Sequence, residues 1–386
     1  MVLPRRISLQ AIYFLYFGSL GSLLPFMSLI FSERGISPTD IGWLMMLIPA
    51  CNLVIPPLWG VLADARQSRV PALVRALLGT ATGAILLSPT WSFVQMMGVM
   101  VFFGVFRAPI TALLDAVTHS HIPDSPEDFG RFRLWGSVGF LLCSALFGFL
   151  RDTLVESSSL LGTALILLLG ALAALGLPET GAPVTRRKTS HVGAETLAHL
   201  RTPLMACFLG GVVLYYASHG VFDAYVSLHL RGLGFSDSFI GLTWTLGVSV
   251  EVLLMAFAPT ILRRYAPGTL LCLASLAACV RWGVLSSATT TLEVLAQQPL
   301  HAITFGLWYL SCAKWVQSSA PPHLRATLQS VFLSCMASGM LVGFVVGGRC
   351  FEVYGGGTLY AGAALLSLSS LLFFLPLHLK RQPAVD

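Results

Sequence analysis

Apolar stretches of about twenty residues or more, separated by polar breaks, recur from one end of this chain to the other. A helix that crosses the hydrocarbon of a bilayer needs about 20 mostly apolar residues. Twelve candidates occur, at 8–31, 39–63, 70–89, 92–119, 132–150, 158–177, 204–230, 238–262, 269–288, 293–317, 326–348 and 358–379. The breaks carry helix stoppers and charges, among them Gly35-Ile36-Ser37-Pro38, Gly232-Leu233-Gly234, Pro321-Pro322 and Gly355-Gly356-Gly357. A soluble chain holds about a quarter charged residues, whereas only 10% are charged here and 55% are hydrophobic. The pattern implies an all-α polytopic membrane protein with twelve transmembrane helices.

Other classes are disfavoured by what the sequence lacks. The net charge of +6 is spread over a charge-poor chain and makes no basic face for nucleic acid. The eight cysteines are scattered, with no C-x-x-C pair and no His/Cys spacing suited to zinc. No nucleophile–base motif points to an enzyme. Arg5 and Arg6 precede the first apolar run without an A-x-A cleavage site, so that run is expected to stay as a helix.

The longest polar stretch, Glu179 to Arg201, divides the spans six and six. This predicts an N-terminal half over 1–178, a cytoplasmic linker over 179–203 and a C-terminal half over 204–386. With the N-terminus cytoplasmic, sixteen Lys and Arg fall on that side and four (Arg34, Arg151, Arg231, Arg349) on the other. That asymmetry obeys the positive-inside rule and puts both termini in the cytoplasm, in a cell inner or cytoplasmic membrane. The halves also repeat at an offset of 199: Gly35-x-Ser37-x-x-x-Ile41-Gly42 recurs as Gly234-x-Ser236-x-x-x-Ile240-Gly241, and Tyr16 and Gly21 recur as Tyr215 and Gly220. Two parallel six-span repeats imply a transporter with its site between the halves near the midplane.

Ionisable residues inside spans cost about 2.5–3.5 kcal/mol each and need a partner or a wet cavity. They are Arg107, Asp115, Asp223, Glu251, Arg281, His301 and Lys314. Mutual neutralisation is the competing reading for the acids and bases among them. His219 and Asp223, at i and i+4, form either a proton-responsive pair or an internal hydrogen bond. Lys314, near a cytoplasmic end, is expected to snorkel. Asp115, Arg133 and Phe140 set an acid, a guanidinium and an aromatic plane around one proline-broken turn. Arg133 and Phe140 are seven apart and share a helix face. At the cytoplasmic ends, Gly60, Asp64, Arg66 and Arg131 are expected to form a breakable conformational latch, with Gly60 allowing close helix approach.

The motif Gly60-Val61-Leu62-Ala63-Asp64-Ala65-Arg66, with twelve spans in two halves, resembles the major facilitator superfamily. Phe129-Gly130-Arg131-Phe132-Arg133, then Gly136, Gly139 and Cys143, is similar to the lactose permease group of oligosaccharide–proton symporters. That resemblance implies that Asp115 and Arg133 hold substrate. Phe140 falls where the group has a stacking tryptophan. It also implies that His301 is substrate-linked, that Arg281 couples the proton and that Asp223 matches a helix-seven acid. The proton-carrying acid three residues after the histidine is here Thr304, and Glu251 takes over as the expected proton carrier. Arg107 has no counterpart in the group and tilts the expectation towards an anion. Trp244-Thr245-Leu246-Gly247, Val280-Arg281-Trp282-Gly283 and Leu300-His301 with Thr304-Phe305 resemble the phenylpropionate transporter family.

The expectation is a monomeric secondary transporter that needs no cofactor beyond a proton gradient. Its partners are the lipid bilayer, H+ and a small-molecule substrate, either an aromatic carboxylate or a sugar or nucleoside. A proton-antiport exporter of drugs or metabolites is the alternative.

Overall fold

The computed structural model is helical, with no strand, across its described residues, which are 5–65, 68–89, 91–122, 129–153, 158–179 and 192–379. The helices are α1 Arg5–Leu23, α2 Met27–Glu33, α3 Pro38–Ala65, α4 Arg69–Leu86, α5 Phe93–Arg107, α6 Ile110–His121, α7 Phe129–Thr153, α8 Ser158–Leu175, α9 Val192–Leu200, α10 Pro203–Gly232, α11 Asp237–Arg264, α12 Pro267–Ser287, α13 Thr291–Ala296, α14 Trp308–Ser319 and α15 Arg325–Leu379. Among the described residues, nine stretches are long and apolar enough to cross a bilayer, and Ser159–Leu175 is a shorter apolar helix. α15 alone has 55 residues, roughly 80 Å of helix at 1.5 Å per residue, enough for two spans. It divides at Gly355, where φ is 78°. With the broken segment from Thr291 to Ser319, this accounts for the twelve expected spans.

Three spans are less regular than their apolar patterns suggest. The first breaks between α1 and α2 around Pro25, and the fourth breaks at Ala108 and Pro109, between α5 and α6. Proline has no N–H to donate and its ring crowds the preceding turn. The tenth passes from α13 through a 3-10 turn at Gln298–Leu300, which contains Pro299, into a π-helical turn at Ala302–Leu307 before α14 begins.

The repeat at offset 199 is visible in the backbone. Gly35 and Gly234 both have positive φ, 77° and 88°. Each ends a helix with the same bond, from Ile36 N–H to the Phe31 carbonyl (3.2 Å) and from Phe235 N–H to the Leu230 carbonyl (3.1 Å). This is the helix-ending geometry that favours glycine. Ser37 then accepts the Asp40 amide, and Ser236 accepts the Phe239 amide, each at 3.2 Å, capping the next helix.

The helices cluster into two compact units: Met1–Arg186 with Leu230–Thr245, and Arg187–His229 with Leu246–Asp386. In the first, α1 and α7 approach so closely that a methyl at Gly136 would lie 2.8 Å from the Phe17 ring. In the second, a methyl at Gly220 would lie 2.8 Å from the Met340 carbonyl oxygen, so α10 and α15 pack in the same manner. Of the linker expected at 179–203, residues 180–191 lie outside the described residues. At its start, Glu179 accepts the Arg69 and Val70 amides at 2.7 and 3.1 Å.

Candidate functional site

In the first unit, α1, α6 and α7 bring three polar side chains together. Asp115 projects from α6, and its Oδ2 lies 3.4 Å from Arg133 Nη1 on α7. The pair is open, with the side chains 26% and 47% exposed respectively. Tyr13 on α1 is fully buried, and its hydroxyl donates to Asp115 Oδ1 at 2.6 Å. The linear pattern links Asp115 with Arg133 but not with Tyr13, because nothing in it aligns α1 with α6. Phe140 is half-buried on α7, two helical turns beyond Arg133. Arg107 ends α5 beside the proline break. Its Nε is buried without a hydrogen-bond partner among the described residues, and it forms no ion pair there with Asp115.

The second unit holds the other cluster. Arg281 on α12 is completely buried. A buried guanidinium must be saturated with hydrogen bonds to be tolerated. Here Gln297 Oε1 accepts at 2.8 Å, Thr304 Oγ1 at 3.1 Å and Gln298 Oε1 at 3.2 Å. The Phe222 and Trp282 rings lie 4.5 and 4.9 Å from the guanidinium carbon and add cation–π stabilisation. All three acceptors are neutral, and the two glutamines come from the break between α13 and the π-helical turn.

Glu251 on α11 faces that turn. Its Oε2 lies 3.5 Å from His301 Nε2, and no Lys or Arg comes within ion-pair distance of it among the described residues. Gly306 makes room for this acid, since a methyl there would sit 3.0 Å from Glu251 Cγ. His301 Nδ1 is buried with no hydrogen-bond partner among the described residues. Asp223 is half-buried and forms no ion pair there. His219 bonds within its own helix, with Nδ1 3.3 Å from the Tyr215 carbonyl rather than to Asp223. Lys314 donates to the Leu262 carbonyl at the end of α11, consistent with a snorkelling lysine.

The arrangement therefore brings Asp115 to Arg133 and Glu251 to His301. It surrounds Arg281 with neutral oxygens and, among the described residues, joins neither Arg107 nor Asp223 to a carboxylate or a base. The MFS_1-like family model matches residues 6–361, nearly the whole chain. The chain belongs to the MFS_1-like family. This MFS_1-like protein is 28% identical over 382 residues to a probable 3-phenylpropionic acid transporter of Escherichia coli (strain K12), covering 96% of this chain and 97% of the relative. It is 26% identical over 386 residues to a maltose permease of Geobacillus stearothermophilus, covering 98% and 96%. A solved structure of the nucleoside transporter NupG superposes with a TM-score of 0.86 at 20% identity, over 98% of this chain and all of that one, which shows a shared fold. This member of the family is thus a multi-pass membrane protein and a secondary transporter, as its sequence implies.

The expected latch is not what the MFS_1-like fold displays most clearly. Arg66 and the side chain of Asp64 lie outside the described residues, and Arg131 is exposed at the start of α7. A methyl at Gly60 would meet nothing within 4 Å among the described residues, so close helix approach is not what calls for glycine there. A denser ionic cluster occurs at the other end of α7. Arg151 is buried, donating from Nε to Asp237 Oδ2 at 2.9 Å and from Nη2 to Glu33 Oε1 at 2.5 Å. Arg231 reaches the same two acids. Asp152 accepts the Asp237 and Ser238 amides, each at 2.9 Å, capping α11. A methyl at Gly148 would lie 2.6 Å from the Asp237 carbonyl oxygen, which is why α7 can approach this turn. In the linear sequence these residues are merely loop-end charges, and nothing in their spacing brings them together.

Proposed function

We propose that this transporter is a proton symporter that imports a small aromatic carboxylate by alternating access. Arg133 receives the carboxylate, Asp115 holds Arg133 in place, and Phe140 offers the ring an apolar plane. The two six-helix halves, 1–178 and 204–386, work about the 179–203 linker, with both termini in the cytoplasm and the chain acting as a monomer in the cell's inner or cytoplasmic membrane. Asp64, Arg66 and Arg131 serve as the cytoplasmic latch. The phenylpropionate relative supports the substrate class, and the unmatched Arg107 supports an anion over a sugar.

Glu251 carries the proton, with His301 beside it. The supporting observation is that this in-span acid has a histidine 3.5 Å away and no Lys or Arg in ion-pair reach among the described residues. Such an acid can change protonation without stranding a permanently charged partner. Arg281, ringed by neutral oxygens, and Asp223 in the same unit complete the coupling set. Reconstituted protein carrying Glu251→Gln should keep substrate counterflow and lose accumulation driven by an imposed pH gradient. Full pH-driven accumulation by that variant would remove Glu251 from the mechanism, and outward pumping by the wild type would reverse the direction to export.

A further inference from the structure

We infer that Tyr13 is a positioning residue that sets the preference of the N-terminal site for a carboxylate over the uncharged form of the same ligand. The inference rests on the reading of Arg133 as the ligand's charge partner. The three side chains run from dry to wet. Tyr13 is fully buried, and Asp115 and Arg133 are 26% and 47% exposed in their side chains. The buried end makes the short contact, 2.6 Å from the Tyr13 hydroxyl to Asp115 Oδ1. The exposed end makes the long one, 3.4 Å from Arg133 Nη1 to Asp115 Oδ2.

A guanidinium has five N–H donors in a planar fork. Only one of Arg133's is committed to a protein acceptor among the described residues, so the fork is largely open to an incoming anion. The Tyr13 hydroxyl holds the Asp115 carboxylate by Oδ1 in an orientation that leaves only Oδ2 in reach of the guanidinium. Released from Tyr13, Asp115 could turn both oxygens to Arg133 and close the fork in a bidentate pair. Tyr13 is itself held rigidly: its ring stacks on Phe17 with centroids 6.3 Å apart and planes 12° apart. Phe17 in turn packs at Gly136, three residues along α7 from Arg133. α1 thereby fixes both the hydroxyl and the helix that carries the arginine.

Replacing Tyr13 by Phe keeps the ring and its stacking partner and removes only the donor. Binding of 3-phenylpropionate and of its neutral primary amide to purified protein would be measured by calorimetry on the same preparations of wild type and Tyr13→Phe. The wild type is expected to prefer the carboxylate by tenfold or more. The variant is expected to lose most of that preference by binding the carboxylate more weakly while holding the amide unchanged. Because both ligands are compared on one preparation, a partly unfolded sample changes the stoichiometry and leaves the ratio of affinities intact. A variant that keeps the wild-type ratio, or that weakens both ligands equally, overturns the role of Tyr13 and leaves the carboxylate reading standing. A wild type that does not prefer the carboxylate overturns that reading and the inference with it.

Discussion

Arg133 and Arg151 stand on the same helix, α7, 18 residues apart, or roughly 27 Å at 1.5 Å per residue. They have been used in opposite ways. Arg151 has a side chain 2% exposed and binds two carboxylates at 2.5 and 2.9 Å, with Arg231 reaching the same two acids. Arg133 is 47% exposed and touches one carboxylate at 3.4 Å. A guanidinium that is saturated and dry contributes to holding helices together, and one that is half-satisfied and wet remains available to a ligand. Hydropathy alone gives both residues the same description, an arginine near the end of an apolar run, and says nothing of how dry either is. Arg281 in the second unit adds a third use, a buried cation satisfied by neutral oxygens and aromatic faces.

The comparison is open to attack by substitution. Arg151→Ala would leave buried Asp237 and half-buried Glu33 with a reduced share of positive charge, and removing one partner of a buried pair costs about 3 kcal/mol or more. Thermal unfolding of the detergent-solubilised protein should show a large fall in Tm, and an unchanged Tm would mean that the cluster is not structural. Arg133→Ala should weaken binding of an aromatic carboxylate by about 1.5–3 kcal/mol, the range for a hydrogen bond to a charged group. It should change unfolding by less than about 1 kcal/mol, as for an exposed pair. If Arg133→Ala instead unfolded the protein while sparing binding, the roles assigned to the two arginines would be exchanged. Phe140, between them on the helix, should give the smallest effect. Phe140→Ala is expected to reduce the preference for an aromatic over an aliphatic carboxylate by about 0.5–1.5 kcal/mol, read from competition binding.

Most of the fold was legible because membrane spans are written in long apolar runs and their ends in glycine, proline and charge. The repeated Gly-x-Ser turn predicted two equivalent helix ends, and Gly35 and Gly234 adopt matching conformations with matching caps. The breaks inside the first, fourth and tenth spans were harder to read. A single proline in an apolar run either kinks a helix or ends it, and the outcome depends on the neighbours that take up the freed carbonyls. The family resemblance picked out Asp115 and Arg133, which do come together, and Glu251 and His301, which also do. The tally of charges inside spans, by contrast, left mutual neutralisation open for Arg281, whereas its acceptors are Gln297, Gln298 and Thr304. Glutamine leaves no hydropathy signal that distinguishes a ligand to a buried arginine from a residue facing solvent.

By itself the sequence determined that the chain is a twelve-span, two-half transporter, because hydropathy, charge asymmetry and repeat spacing are properties of the chain read in order. Tertiary structure alone decided which charges are dry. Tyr13 and Asp115 lie 102 residues apart and Arg151 and Asp237 lie 86 apart. Whether an arginine in a span binds a ligand, a neighbouring helix or neutral oxygens depends on the solvent exposure and partners that helix packing gives it. That is set by which helices touch and where glycine lets them approach.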